Sequence, residues 1–248
     1  MTADRTVVVT GAAGSIGAAT VVRFLERGLT VLGIDRDDAR PADARHHHVV
    51  VDLADADALQ TGLDGALGRL PRVAHVVGIA GGALPEEPSI QDDIASMDPA
   101  VFRASLDANL VTQFILMRSV VRHLGQRSDE DRSICFTSSF NALSAQGMPA
   151  YSAAKAGILG MMYASVRPLG RLGIRVNVVA PGTVRTPRTE RLWAAVPDHF
   201  ARLEAGSALG RLAQPDDVAA AFAALALDLH HVTGQVLVVD GGQSAAHA

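Results

Sequence analysis

Val7-Val8-Val9-Thr10-Gly11-Ala12-Ala13-Gly14-Ser15-Ile16-Gly17 is the stretch on which the fold turns. Three valines in a row read as a buried strand, the glycines break it, and a helical segment follows from Ile16. Glycine-rich turns also end strands and helices, so the glycines alone say little; their place between a strand and a helix says more. A pyrophosphate needs free backbone N–H groups, approach without a Cβ in the way, and the positive end of a helix dipole. Gly11, Gly14, Ser15, Ile16 and Gly17 can supply all three.

Outward from this unit, short β-branched runs recur with helical segments between them, which is the pattern of parallel strands joined by crossovers. Strands are expected near residues 7–10, 30–34, 49–51, 73–77, 133–137, 175–179 and 236–239. Most are continuous runs of Val, Ile and Leu, so helices should cover both sheet faces. Helices fit 16–27, 55–67, 99–124, 150–172 and 215–227. Gly28 and Gly173 stand at helix C-terminal stops, and Asp55 and Gln214-Pro215 at starts. The expected fold is α/β, a doubly wound parallel sheet of about seven strands in three α/β/α layers. With no repeat or low-complexity linker to divide it, the chain of residues 1–248 reads as a single nucleotide-binding domain. Two irregular stretches, 82–97 and 183–209, are long enough to be functional, and the second is the expected substrate-binding loop.

The second strand ends in Asp35, and 35 − 17 = 18 residues separate it from the last glycine of the turn. That is close to the roughly 20 expected of the acid that binds an adenosine ribose. Its charge would repel a 2′-phosphate, which favours NAD over NADP, while the neighbouring Arg36 pulls the other way. Asp52-Leu53 closes the third strand and suits an adenine contact as well as the opening of a loop.

In Tyr151-Ser152-Ala153-Ala154-Lys155 the i, i+4 spacing puts both side chains on one helix face, about one turn apart. A phenol with a pKa near 10 is a poor base at neutral pH; a close ammonium favours the phenolate and lets it exchange a proton with a hydroxyl or carbonyl. Such a pair occurs by chance on many amphipathic helices, so its context must carry it. The strand before it ends at Ser138-Ser139, where a hydroxyl could hold a substrate oxygen against the phenol.

Bulk composition narrows the classes. With 48% hydrophobic and 19% charged residues the chain is globular, and a net charge of −4 with a pI near 6.1 gives no basic field for nucleic acid or anionic membrane. The most apolar helical stretch, 218–227, is too short to span a bilayer. The single cysteine, Cys135, lies in an apolar run, and no signal-peptide stretch opens the sequence, so a cytoplasmic protein is expected. A small organic substrate remains. Consecutive strand residues point to opposite faces, so His46-His47-His48 is not read as a metal site. His230-His231, in a loop, is not read as one either.

Taken in order, these residues resemble the short-chain dehydrogenase/reductase family over essentially the whole chain. The markers are the turn from Thr10 to Gly17, Asn109, Ser138-Ser139, Tyr151 with Lys155, Pro181-Gly182 followed by Thr186, and Thr233-Gly234-Gln235 to Asp240-Gly241-Gly242. The resemblance implies a Rossmann-like sheet with NAD across the carboxyl ends of its strands. It implies Tyr151 as general acid/base, Lys155 lowering the phenol pKa and binding the nicotinamide ribose, and a serine orienting the substrate. Asn109 would join a water-linked relay with Lys155, and Thr186 would bind the carboxamide. Pro181, Gly182 and Val184 would shape the loop under the ring, and Ala80 and Gly81 would lie along the cofactor. It further implies a homotetramer or dimer with the helices around Asn109 and Tyr151 between subunits.

Departures from the family pattern mark where the chain is individual. Ser15 stands where the short form commonly has glycine. Gly78-Ile79-Ala80-Gly81 replaces the usual Asn-Asn-Ala-Gly, so the side-chain bracing at that sheet edge is expected to be missing. The usual 13-residue spacing to the tyrosine selects Ser138, whereas alignment on the second serine of the pair selects Ser139, the one preferred here. Phe140, Asn141 and Met148 should line the site, and Trp193, Phe200 and Leu203 suit a lid over an apolar substrate as well as plain packing. The activity expected is hydride transfer between a secondary alcohol or ketone and NAD. Its rivals are an NADPH-dependent reductase of 3-oxoacyl thioesters and a catalytically silent cofactor-binding regulator.

Overall fold

Seven parallel strands form one sheet in the order β3-β2-β1-β4-β5-β6-β7. The computed structural model describes residues 5–39, 41, 43–87, 94–124, 131–144, 148–194 and 196–245. The strands are β1 Arg5–Thr10, β2 Thr30–Asp35, β3 His46–Val50, β4 Arg72–Gly78, β5 Arg132–Thr137, β6 Ile174–Pro181 and β7 Val236–Val239. β3 begins earlier than expected, because the three histidines pair with Val31, Leu32 and Gly33 of β2.

Alternation within the strands divides two cores. Val8, Leu32, Ile34, Val76, Ile134 and Val176 face one side, packed under helices α2 (Ala56–Leu67), α4 (Thr112–Val121) and α5 (Pro149–Arg171). Val7, Val9, Val31, Val77, Cys135 and Val179 face the other, under α1 (Ser15–Glu26) and α8 (Pro215–Leu227). This is the three-layer, doubly wound arrangement expected, and both buried faces explain the unbroken apolar runs. Burial of each full aliphatic side chain stabilises by about 1.5–3 kcal/mol. The strand order reverses between β1 and β4, which is where ligands of such sheets bind.

Local signals set the helix ends as expected. Asp55 accepts the Ala58 N–H at 2.9 Å, Gln214 and Asp217 form a capping box, and Gly28 and Gly173 follow α1 and α5 with φ of 82° and 71°. Two expectations change. The helix expected over 99–124 is α3 (Pro99–Leu106), a π-helical turn over Asp107–Val111, and α4, so its period is broken at Asn109. The stretch 183–209, expected to be irregular, holds two short helices, α6 (Pro187–Leu192) and α7 (His199–Ala205). Within 82–97 a 3-10 turn covers Ile94–Ser96, and residues 88–93 lie outside the described residues. Among the described residues, no helix is long and apolar enough to cross a membrane.

Candidate active site

At the first switch-point crevice, β1 ends in a turn whose geometry depends on glycine. A Cβ on Gly17 would stand 1.9 Å from the Gly11 carbonyl oxygen, so no side chain fits at 17 in the first turn of α1. Gly14 caps α1 without any side-chain bond, leaving the leading N–H groups around Ser15, Ile16 and Gly17 without intrahelical acceptors. These groups, with the helix dipole, fit a pyrophosphate. Asp35 stands beside them: one carboxylate oxygen accepts the Ala13 N–H at 3.0 Å and the other the Asp37 N–H at 3.2 Å. The acid is thus fixed at the end of β2, and Arg36 is exposed next to it. Asp52 is exposed and bonded to the Ala54 N–H, while Leu53 is buried in the core under α2.

The turn after β4 faces this crevice, and it is braced after all. Thr10 Oγ1 accepts the N–H groups of Ile79 and Ala80 at 3.1 and 3.4 Å, Gln113 donates to the Ala80 carbonyl at 2.7 Å, and Thr137 donates to the Gly78 carbonyl at 2.8 Å. Asn109 accepts the Gly82 N–H at 2.7 Å and donates to the Gly82 and Ser105 carbonyls, each at 3.1 Å. Sequence reasoning missed this because the bonds come from four other elements rather than from the turn itself. The signal present was Gly78: a Cβ there would lie 2.1 Å from Gln113 Oε1. Asn109 is fully buried by this clamp, and no described hydrogen bond joins it to Lys155.

The phenol of Tyr151 sits at the carboxyl end of β5, on the first turn of α5. Lys155 Nζ lies 5.6 Å from its ring centroid and donates to the Thr137 carbonyl at 3.0 Å. The two serines separate cleanly. Ser138 is buried and its hydroxyl donates to the Lys155 carbonyl at 2.8 Å; Ser139 is partly exposed and hydrogen-bonds on the phenol side. Burial raises the Tyr151 pKa, while Ser139 and the Arg188 guanidinium lower it and Glu87 raises it. Burial, assisted by Arg188, also pushes Lys155 down to about 7. The Arg188 guanidinium therefore favours the phenolate at Tyr151 and disfavours the ammonium at Lys155.

Glu87 and Arg188 were not singled out from the sequence. Glu87, only 4% exposed, accepts the Tyr151 N–H at 2.6 Å and the Ser105 hydroxyl at 3.1 Å, so it anchors the start of α5 against α3. Its segment, 82–97, reads from the sequence only as an irregular stretch rich in Pro and acids, with no pattern that marks one acid over another. Thr186 caps α6: its hydroxyl accepts the Thr189 N–H at 3.1 Å, and Thr189 Oγ1 accepts the Thr186 N–H at 2.9 Å. Pro181 and Val184 are buried, and Gly182 leaves room for Asp240, whose Cβ would lie 2.8 Å from a Cβ at 182. Phe140 and Asn141 form a 3-10 turn beside Ser139, and Met148 is buried. Trp193 stacks on His199 at 4.1 Å, and Phe200 lies under Arg185 at 5.4 Å. His46 and His48 share one face of β3, their rings 6.2 Å apart; among the described residues no group of three metal-ligating side chains is present.

A glycine turn under a helix N-terminus and a Ser–Tyr–Lys cluster at a neighbouring strand end together offer a dinucleotide cradle and a proton-transfer centre. Residues 11–244 match the family model described as enoyl-(acyl carrier protein) reductase. The chain is 35% identical to cis-4-hydroxycyclohexanecarboxylate dehydrogenase of Sinomonas cyclohexanicum, over 98% of each chain. It is 31% identical to L-fucose dehydrogenase of Bos taurus, over 97% of this chain and 89% of that one. A crystal structure of a short-chain dehydrogenase/reductase family oxidoreductase from Burkholderia thailandensis superposes with a TM-score of 0.86 at 38% identity, covering 99% and 94% of the two chains. The chain belongs to the short-chain dehydrogenase/reductase family. As a short-chain dehydrogenase/reductase it binds a nicotinamide dinucleotide, NAD or NADP. It is an oxidoreductase acting on CH–OH groups, moving hydride between a secondary alcohol or ketone and that cofactor.

Proposed function

We propose that Tyr151 is the general acid/base of this dehydrogenase, with Ser139 as the serine that orients substrate, and that NAD is the preferred cofactor. The observation that carries the reading is the division of the serine pair: Ser138 is spent on the Lys155 carbonyl, and Ser139 is left beside the phenol. Gly11, Gly14, Ser15, Ile16 and Gly17 would hold the pyrophosphate, and Asp35 the adenosine ribose. Leu53 with Asp52, Ala80, Gly81, Pro181, Gly182, Val184 and Thr186 would line the rest of the dinucleotide. Bound there, the nicotinamide supplies the hydride acceptor or donor.

For alcohol oxidation, the Ser139 hydroxyl holds the substrate oxygen against Tyr151. The phenolate takes the hydroxyl proton as the C–H hydride leaves the carbinol carbon, and a carbonyl forms. In reduction the phenol returns that proton to the carbonyl oxygen. Lys155 Nζ gives one donor to the Thr137 carbonyl and keeps others for the nicotinamide ribose. Asn109 fixes Gly82 and the turn under the substrate, and would join a water-linked relay with Lys155. Asp35 favours NAD because its carboxylate would repel a 2′-phosphate. The carboxylic and sugar substrates named for the two relatives make a ring-borne secondary alcohol the first class to try.

The experiment is a comparison of wild type with Tyr151→Phe, Ser139→Ala and Ser138→Ala over a panel of secondary alcohols, with NAD and NADP. Tyr151→Phe and Ser139→Ala should each lose about 100-fold or more in kcat while NADH still binds, and Asp35→Ala should narrow the preference for NAD. Full turnover in Ser139→Ala with loss in Ser138→Ala would overturn the choice of serine. A homodimer or homotetramer is part of the reading, supported by Val111, Phe114 and Tyr163, which are exposed apolar side chains on the helices around Asn109 and Tyr151. Light scattering checks it. A cytoplasmic setting is in keeping with a lone, fully buried thiol at Cys135.

A further inference from the structure

One charge at the cleft has no task in the reading above. Arg188 is the second residue of α6, so the capping box at Thr186 fixes where its side chain starts. From there the guanidinium crosses to the turn after β4: Nη2 donates to the Ala83 carbonyl at 2.6 Å and Nη1 to the Gly81 carbonyl at 3.4 Å. Glycine at 82 permits this, since a Cβ there would stand 2.7–2.9 Å from the guanidinium atoms. Gly82 is itself clamped on both its N–H and its carbonyl by buried Asn109. The arginine is thus docked on a fixed platform that joins the substrate loop to the cofactor-facing turn.

Its partners are two neutral carbonyls. Among the described residues no carboxylate pairs with it, whereas Arg185, three residues earlier, is engaged by Glu190 at 3.4 Å and Glu204 at 3.2 Å. Glu87, which meets the start of α5, has both oxygens committed to Tyr151 and Ser105. The field of Arg188 reaches both Tyr151 and Lys155, so its charge is directed at the reacting centre. A guanidinium carries five N–H donors in a planar fork, two of which are used here, and the remainder match the two oxygens of a carboxylate.

We propose that Arg188 is a carboxylate-binding site for the substrate, so that the enzyme acts on hydroxy or oxo acids whose carboxylate docks on the guanidinium while the carbinol carbon faces Tyr151. This rests on the dehydrogenase reading and adds the substrate's charge to it. A neutral alcohol would have only the Ser139–Tyr151 end to hold it. An acid is held at two points, which fixes the carbon that loses hydride. The other anion that could come to the arginine is a cofactor phosphate, and the test separates the two.

Wild type, Arg188→Gln and Arg188→Lys are each saturated with NADH and titrated calorimetrically with acetate, benzoate and cyclohexanecarboxylate, and with the matching amides. The same proteins are assayed on hydroxy acids and their methyl esters. At least one acid should bind wild type about tenfold or more tightly than its amide. Arg188→Gln should erase that difference, Arg188→Lys should keep part of it, and NADH should still bind all three. In turnover, Arg188→Gln should cost the acid about 30-fold more in kcat/KM than the ester, the worth of a charged bidentate bond. Equal binding of acids and amides to wild type, or equal losses on acid and ester, would overturn the proposal. So would a loss confined to NADH affinity, which would assign the arginine to the cofactor. If the carboxylate preference holds while no alcohol turns over with either cofactor, the dehydrogenase reading fails and the anion site stands.

Discussion

At Tyr151, burial and three neighbours pull on one phenol. Burial raises its pKa, Ser139 and Arg188 favour the phenolate, and Glu87 disfavours it. With Tyr151 in the proposed role of general acid/base, oxidation would need the phenolate and its rate should rise as pH passes through the Tyr151 pKa; reduction would need the phenol and should behave in the opposite sense. Removing the Glu87 charge lowers that pKa. The pH–rate profile of Glu87→Gln for oxidation should therefore move its rising limb to lower pH. The same change leaves a side-chain amide where two donors, the Tyr151 N–H and the Ser105 hydroxyl, require acceptors. A stability loss of about 1–3 kcal/mol in urea unfolding should accompany it. An unmoved profile with the stability loss alone would reduce Glu87 to an anchor for α5.

At the scale of elements, the turn after β4 is held by side chains from β1, β5, the π-helical turn and α4 rather than by its own residues. Its replacement of two expected asparagines by glycine and isoleucine makes sense only with Gln113 in view. Gln113 is fully buried, spans to the Ala80 carbonyl, and needs the space that a side chain at 78 would fill. Gly78→Ala should destabilise the protein by about 1–3 kcal/mol and weaken cofactor binding, because the amide must leave its acceptor. In a Gln113→Ala background the same glycine substitution should cost much less. Additive losses in that double-mutant cycle would show that the two positions do not meet.

Across the whole molecule, the sheet buries a titratable group at its centre. His75 on β4 is fully buried, its Nδ1 lies 2.9 Å from the Ser133 hydroxyl, and burial lowers its pKa to about 3, with Asp131 opposing the shift. A histidine whose folded pKa lies below its unfolded value of 6.5 binds its proton more readily in the unfolded chain. Stability should therefore fall as pH drops from about 6.5 toward about 3 and be insensitive to this group above that window. Urea titrations at several pH values check it, and His75→Gln should flatten the slope; an unchanged slope would place the acid sensitivity elsewhere. The sequence by itself determined the strand–turn–helix opening, the seven parallel strands, the two-sided burial and the family. Each of these is written in local residue patterns: β-branched runs, glycine spacing, and capping residues such as Asp55 and Gln214. It also gave both candidate serines and the Tyr151–Lys155 face, because helix and strand periodicity fix which side chains share a side. What it left open is decided by contacts between residues far apart in the chain. Only packing commits Ser138 to the Lys155 carbonyl, brings Glu87 to the start of α5, and carries Arg188 over Gly82 to Ala83. Such pairs lie 17 to 105 positions apart, and their distances are set by how α5 and α6 seat on the sheet, for which no local pattern exists.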